Sequence, residues 1–510
     1  MLGSAVKTAK ESSLIQFTSH IHTHKNENIK SLYFEFLNNK ETTLTSTFSF
    51  LKKQLNAVDL STCDLPANIE DIQQWIDTEN EKIGKEYHNY LEARKNGAQR
   101  RYFSGKSHAL YFLKSVAPTK LVDGSWLYGL LNYWNDERFS TLIKIYLEEL
   151  GNGITSKNHV LLYKKLLRTH GCEQWENLSD NHYLQGTIQL ALAHQAQNFL
   201  PELIGYNLGY EQLALHLLIT AYELNELGID PYYFTLHVTV DNAVTGHAKT
   251  SLEGLRAAFP KVTDADKFYQ RVRNGYALNF LGENTLSVIN SFDLQHEVEK
   301  IFIEMSKVGK YAHSNYCRIN GRSINEWLST PDLIPLLLIS LQEKGWIKRH
   351  QDPKNSRFWK LIEGEKAEMF GVFNSYQKQV IYEWIAGDSL TSFTFEDTAG
   401  QIQSSKHLFS YRAYQHSLNR LTSSSPNQRT ADTLPREILR KEKHRTHYQN
   451  EWNDFNQDLR DLEENLFEYN TKEDVINYLK TFMSPLLHHT PVGLIATRIF
   501  TQLFLRADIG

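Results

Sequence analysis

Residues 233–251 read YFTLHVTVDNAVTGHAKTS, a mostly apolar run that carries His237, Asp241 and His247. At about 100° per residue, Phe234, His237, Asp241, Val244 and Ala248 fall on one stripe of a helix. That stripe is apolar and faces a core. A carboxylate on it needs a partner, because burying an uncompensated charge is costly. The His237 imidazole, one turn away, could supply a hydrogen bond; a metal ion could equally hold both groups.

The same feature recurs upstream. In residues 202–219, ELIGYNLGYEQLALHLLI, an apolar stripe of Ile204, Leu208, Leu215 and Leu218 carries Glu211 in its middle. In residues 140–167, STLIKIYLEELGNGITSKNHVLLYKKLL, Leu142, Tyr146 and Glu149 line up before Gly151-Asn152-Gly153 ends the helix. A second helix follows, with His159, Leu162, Tyr163 and Leu166 on its stripe. The inward polar set is therefore Glu149, His159, Glu211, His237 and Asp241, with His247 nearby. Carboxylates and imidazoles from several helices of one bundle suit Fe or Mn, with carboxylates bridging two ions. Ligation without cysteine disfavours structural zinc. Glu202 follows Pro201 and reads as a first-turn acid meeting the helix dipole. Asp123, in KLVDGSWLYG, reads equally as an N-cap. Both remain secondary metal-ligand candidates.

Over residues 100–255 these motifs resemble the heme-oxygenase-like diiron oxidases and oxygenases, the iron-containing redox enzyme family. The resemblance rests on YLEELGNG…NHVLLYKKLL, GYNLGYE and YYFTLHVTVDNAVTGH. It implies a heme-free helical bundle of heme-oxygenase type. It also implies metal ligands at Glu149, His159, Glu211, His237, Asp241 and His247, with Asp123 as an additional carboxylate. Two Fe ions, or a Mn/Fe pair, would activate O₂ as co-substrate. The implied outcomes are N-oxygenation, oxidative C–C cleavage or desaturation of a small amino acid, amine or fatty-acid-like substrate. No flavin or nicotinamide fingerprint is present, so an external electron donor or reductase is expected. Some family members place the last histidine six residues after the aspartate, as here. On a straight helix His247 lies about 120° from Asp241. It reaches the site only if the chain bends near Thr245-Gly246, so a kink, bulge or disordered turn is expected between Asn242 and Ala248. Two rival readings stand beside this one: a heme enzyme on the same scaffold, and a metal-free helical scaffold or interaction protein.

Composition sets the frame. Only 12 prolines in 510 residues, with long segments of period near 3.6, predict a mainly α protein. The net charge of −4 gives no global electrostatic case for nucleic acid or an anionic membrane. No apolar run is long enough to span a bilayer. Three scattered cysteines, Cys63, Cys172 and Cys317, argue against a disulfide framework, and a cytoplasmic protein is expected. A homodimer is compatible with these features.

The expected organisation is a helical extension over 1–95, the metal-binding bundle over 96–295, an accessory region over 296–422, and a linker with C-terminal helices over 423–510. Within the accessory region, residues 332–362 read as a helix followed by two short strands around DPKNS, a winged-helix-like β-ribbon. Its basic residues lie beside Trp346, Phe358 and Trp359, and packing on the body explains them better than nucleic-acid binding. The SSSPNQRTADTLP stretch at 423–435 reads as the linker. His488 and His489, in LLHHTPVG, form the adjacent His pair of the second half, where capping or packing explains them as well as metal does.

Overall fold

The structure, a computed structural model, describes residues 28–39, 43–240, 246–261, 264–364, 366–389, 456–469 and 471–505. The 423–435 linker and Asp241 lie outside the described residues. The fold is mainly α. Among the described residues the sheet structure is one antiparallel pair of two-residue strands, Arg318–Ile319 with Arg322–Ser323. No described helix is long and apolar enough to cross a membrane.

Two apolar cores organise the chain. The first joins Tyr33, Phe36 and Phe50 near the N-terminus to Trp126, Leu142, Tyr146, Ile204, Leu252 and the C-terminal residues Ile495, Ile499 and Phe500. The second joins Phe103 and Phe112 to Val160, Tyr163, Leu224, Phe234, Ile301, Leu338 and Trp384. The elements of the central bundle divide between them. Val122 and the Ser140–Glu149 helix pack in the first core, and the His159–His170 and Tyr232–Val240 helices in the second. The His247–Ala258 helix returns to the first. The elements that carry the polar set thus meet between the two cores.

One helix pair, Leu200–Tyr210 with Ala265–Ala277, packs backbone against backbone. A Cβ on Gly205 would stand 1.8 Å from the Val272 carbonyl oxygen, and one on Gly275 would stand 2.0 Å from that of Glu202. Glycine on both faces lets the backbones touch. On the same seam Arg271 clamps Glu202 with two bonds of 2.6 Å.

The sequence reading needs correction in two places. Residues 332–362 contain no β-ribbon: after the Ile334–Glu343 helix come a 3₁₀ turn at Pro353–Asn355 and an α-helix at Arg357–Ile362. The reason is the spacing of Phe358, Trp359 and Ile362, which buries one helical face, with Arg357 laid over Trp346 at 4.1 Å. The small strand pair lies upstream, at 318–323. Glu211 is not mid-helix. The helix ends at Tyr210, Glu211 is its C-cap, and Gln212 Nε2 donates to the Leu208 carbonyl left open by the break. At the bend expected between Asn242 and Ala248, Gly246 is extended and caps a new helix that starts at His247.

Gly275→Ala drives a methyl into backbone that has no side chain to swing aside. It should cost about 2–3 kcal/mol, the upper part of the overpacking range, measured by urea denaturation of the full chain. An unchanged midpoint would show that the two helices can separate freely.

Candidate metal centre

The site is built on a tight turn. The Ser140–Glu149 helix runs into Gly151, Asn152 and Gly153, with φ of +64°, +51° and +74°. Successive left-handed residues reverse the chain within a few positions, and two of the three are glycine, which bears this conformation without strain. The next helix begins at His159 behind Asn158, whose side chain caps Leu161 N at 3.0 Å. Glu149 and His159 are thereby brought face to face, with Glu149 Oε2 2.5 Å from His159 Nδ1.

Around this pair two groups of metal-ligand atoms gather, each within 4.8 Å of one another and all buried. One comprises Asp123, Glu149, His159 and His237; the other comprises Glu149, Glu211 and His247. Glu149 belongs to both. Its Oε2 faces His159, and its Oε1 lies 3.4 Å from His247 Nδ1. Of the six residues read from the sequence, five are assembled; the sixth, Asp241, lies outside the described residues. Asp123 joins them. Its N-cap alternative does not hold, because Gly124 occupies the cap of the Ser125–Tyr133 3₁₀ helix. Asp123 instead accepts from Tyr210 Oη at 2.8 Å and Tyr233 Oη at 2.5 Å, and lies 3.1 Å from His237 Nε2. Glu202 is not in the cluster, being held by Arg271.

The imidazoles reveal what this arrangement lacks. His237 Nδ1 lies 2.9 Å from the Tyr233 carbonyl, an obligate acceptor, so Nδ1 carries the proton. In a neutral ring Nε2 then presents a lone pair to the Asp123 carboxylate. His247 is similarly placed: Nδ1 is 2.9 Å from Glu211 Oε2, and Nε2 is 2.8 Å from Glu148 Oε2. A neutral ring has one proton for these two carboxylates. In both cases a cation is needed between nitrogen and oxygen, either a proton or a metal ion. Three buried carboxylates, with Glu149 in reach of both Asp123 and Glu211, make the same demand, and Lys120 Nζ is a cation at 3.9 Å from Asp123.

Electrostatics keep Asp123 and Glu149 ionised. Burial would raise the pKa of Asp123, but Lys120, His237 and His159 outweigh it and hold the group below the usual range. Burial is likewise outweighed at Glu149, chiefly by His159. Tyr210 and Tyr233 are pushed well above ordinary phenols by burial and by the Asp123 charge, so both remain hydrogen-bond donors.

Sequence reasoning missed Glu148. Its side chain is 51% exposed while that of His247 is 2% exposed, so it reaches inward from the surface to the outer nitrogen of a buried imidazole. The only signal was the Glu148-Glu149 pair itself, whose second member was the one on the apolar stripe. Of the neighbouring aromatics, Tyr210 and Tyr233 serve Asp123. Tyr206 Oη bonds Gln185, Tyr232 Oη bonds the Ser156 carbonyl at the surface, and Phe234 packs in the core.

Residues 110–280, about a third of the chain, match the model of a protein family described as iron-containing redox enzyme. That match spans every member of both ligand groups, and it is the family the sequence motifs resemble. Over these residues the chain is similar to that family. No curated protein and no solved structure matches the chain.

Asp123→Ala would leave two tyrosine hydroxyls without their acceptor and remove the carboxylate that faces Lys120. In metal-free protein it should cost about 3–5 kcal/mol, as for a broken buried ion pair, measured by chemical denaturation. A loss below about 1 kcal/mol, the worth of an exposed pair, would mean that water already serves these donors.

Proposed function

We propose that the chain is an O₂-dependent nonheme diiron oxidoreductase. The observation that carries this reading is the position of Glu149, whose two oxygens face two separate groups of nitrogen and oxygen donors. Asp123, His159 and His237 would hold one ion, Glu211 and His247 the other, with Glu149 shared and Asp241 completing the set as the family resemblance implies. The donors fit: oxygen and imidazole ligation without thiolate suits iron or manganese. They would also sit where the His237 and His247 lone pairs already require a cation. When bound, a reduced iron pair supplies O₂ activation, the chemistry that no side chain here provides.

The chain's own residues do the rest. Tyr210 and Tyr233 donate to Asp123 and fix the direction of its oxygens. The Tyr233 carbonyl fixes the His237 tautomer so that Nε2 faces inward. Glu148 does the same for His247 from the solvent side, the carboxylate–histidine arrangement that orients metal ligands in many sites. Burial of the described ligands excludes bulk water. The substrate is read as a small amino acid, amine or fatty-acid-like molecule, oxidised by N-oxygenation, C–C cleavage or desaturation. Electrons would come from an external donor or reductase, and the compartment is read as the cytoplasm.

Anaerobic reconstitution with Fe(II) should give roughly two ions per chain, as a two-metal site requires. Glu149→Ala should lose both, whereas Glu211→Ala should keep the ion on the Asp123 side. Metal analysis of the desalted proteins decides. One tight zinc ion, no metal, or a Glu149→Ala protein that still holds two irons would contradict the reading.

Glu148→Ala should weaken iron binding about 10–100-fold, the usual cost of removing a carboxylate behind a metal-bound histidine. Glu148→Gln, which can still accept from Nε2, should weaken it less. Chelator competition measures both, and equal losses in the two variants would show that Glu148 acts by charge alone.

A further inference from the structure

The Glu149–His159 pair is held from one side by a part of the chain far outside residues 110–280. Asn158 is fully buried and spends its side chain in three directions. Its Oδ1 caps Leu161 N, and its Nδ2 lies 3.2 Å from the Leu150 carbonyl and 3.1 Å from His488 Nδ1. One amide thus ties the end of the Glu149 helix to the start of the His159 helix, and His488 fixes that amide. Tyr146 Oη, one turn before Glu149, donates to the Met483 carbonyl at 2.5 Å. Lys164 Nζ, on the His159 helix, donates to His489 Nε2. Between them Gly153 lies against the C-terminal Pro491–Leu505 helix, where a Cβ would stand 2.2 Å from the Leu494 carbonyl oxygen.

From these contacts we infer that residues 483–498 are a clamp built into the metal centre, and that His488, acting through Asn158, is a positioning residue for Glu149 and His159. The role in metal binding rests on the reading of those two residues as ligands; the mechanical role does not. The contacts touch all three parts of the module: the helix before the turn, the turn, and the helix after it. Simple packing of a C-terminal helix needs no polar partner on the helices before and after the turn. His488 is suited to the task because its pKa is held well below the usual value, first by burial and then by His489 and Lys164. It is therefore neutral, and its Nδ1 can accept from Asn158 while Nε2 carries the proton. The clamp also gives the two adjacent histidines a role that the sequence leaves between capping, packing and metal.

The test compares His488→Ala with His488→Asn in the full chain, since an asparagine oxygen can replace Nδ1 as acceptor. Ile499→Ala, buried in the same C-terminal helix, serves as the control for loss of packing alone. Two quantities are read: Fe(II) affinity by chelator competition, and amide hydrogen exchange over residues 150–161 in metal-free protein. His488→Ala should bind iron about tenfold more weakly and exchange faster over 150–161, and His488→Asn should recover most of both. Ile499→Ala should lower the melting temperature and leave iron affinity near that of the wild type. The inference is overturned if exchange over 150–161 is unchanged in His488→Ala, if the Ala and Asn variants behave alike, or if Ile499→Ala weakens iron as much. A wild-type chain that binds no iron would refute the metal reading, and the exchange measurement would still decide the clamp.

Discussion

The Glu149 carboxylate is the constraint on which the rest of the structure turns. It is buried, ionised and within reach of His159 on one side and His247 on the other. Holding a charge there requires fixed partners, because water cannot supply them. The glycine turn after the Glu149 helix, the Asn158 cap, and the break that restarts a helix at His247 all serve to bring those partners in. The two apolar cores then act as the walls, one carrying Glu149 and His247, the other His159 and His237.

Much of this is legible in the sequence because it depends on period and chemistry. Polar residues on apolar stripes are the signal for Glu149, His159, Glu211 and His237, and the family pattern is the signal for His247; all five come together as buried groups. What the pattern does not give is where helices stop. Periodicity puts Glu211 on a continuous helix, yet it stands at a helix end, whereas the bend expected before His247 is seen at Gly246. The break before His247 leaves a local mark in Gly246, whereas the one at Glu211, where Gln212 closes on Leu208, leaves none in the apolar pattern. Asp123 is ambiguous for a similar reason. Its offset from the next helix suits an N-cap, and only the partners brought by distant segments, Tyr210, Tyr233 and His237, decide its role.

The second half misleads locally in the same way. The turn residues of DPKNS suggest a hairpin, but the aromatics after it bury one face against Phe302 and Tyr382, and a helix does that better than a ribbon. The C-terminal histidine pair shows the converse limit. Nothing within LLHHTPVG points to a turn more than 300 residues earlier, yet Asn158 and Lys164 are its partners.

The central claim is that Glu149 is shared by two metal ions, and the magnetism of the oxidised, iron-loaded protein tests it most directly. Two ferric ions joined by a bridging carboxylate should couple antiparallel. Mössbauer spectra of protein loaded with isotopically enriched iron, taken at liquid-helium temperature, should then show quadrupole doublets with no magnetic splitting in a weak field. Magnetically split spectra from isolated high-spin ferric ions, at full iron loading, would contradict a shared centre.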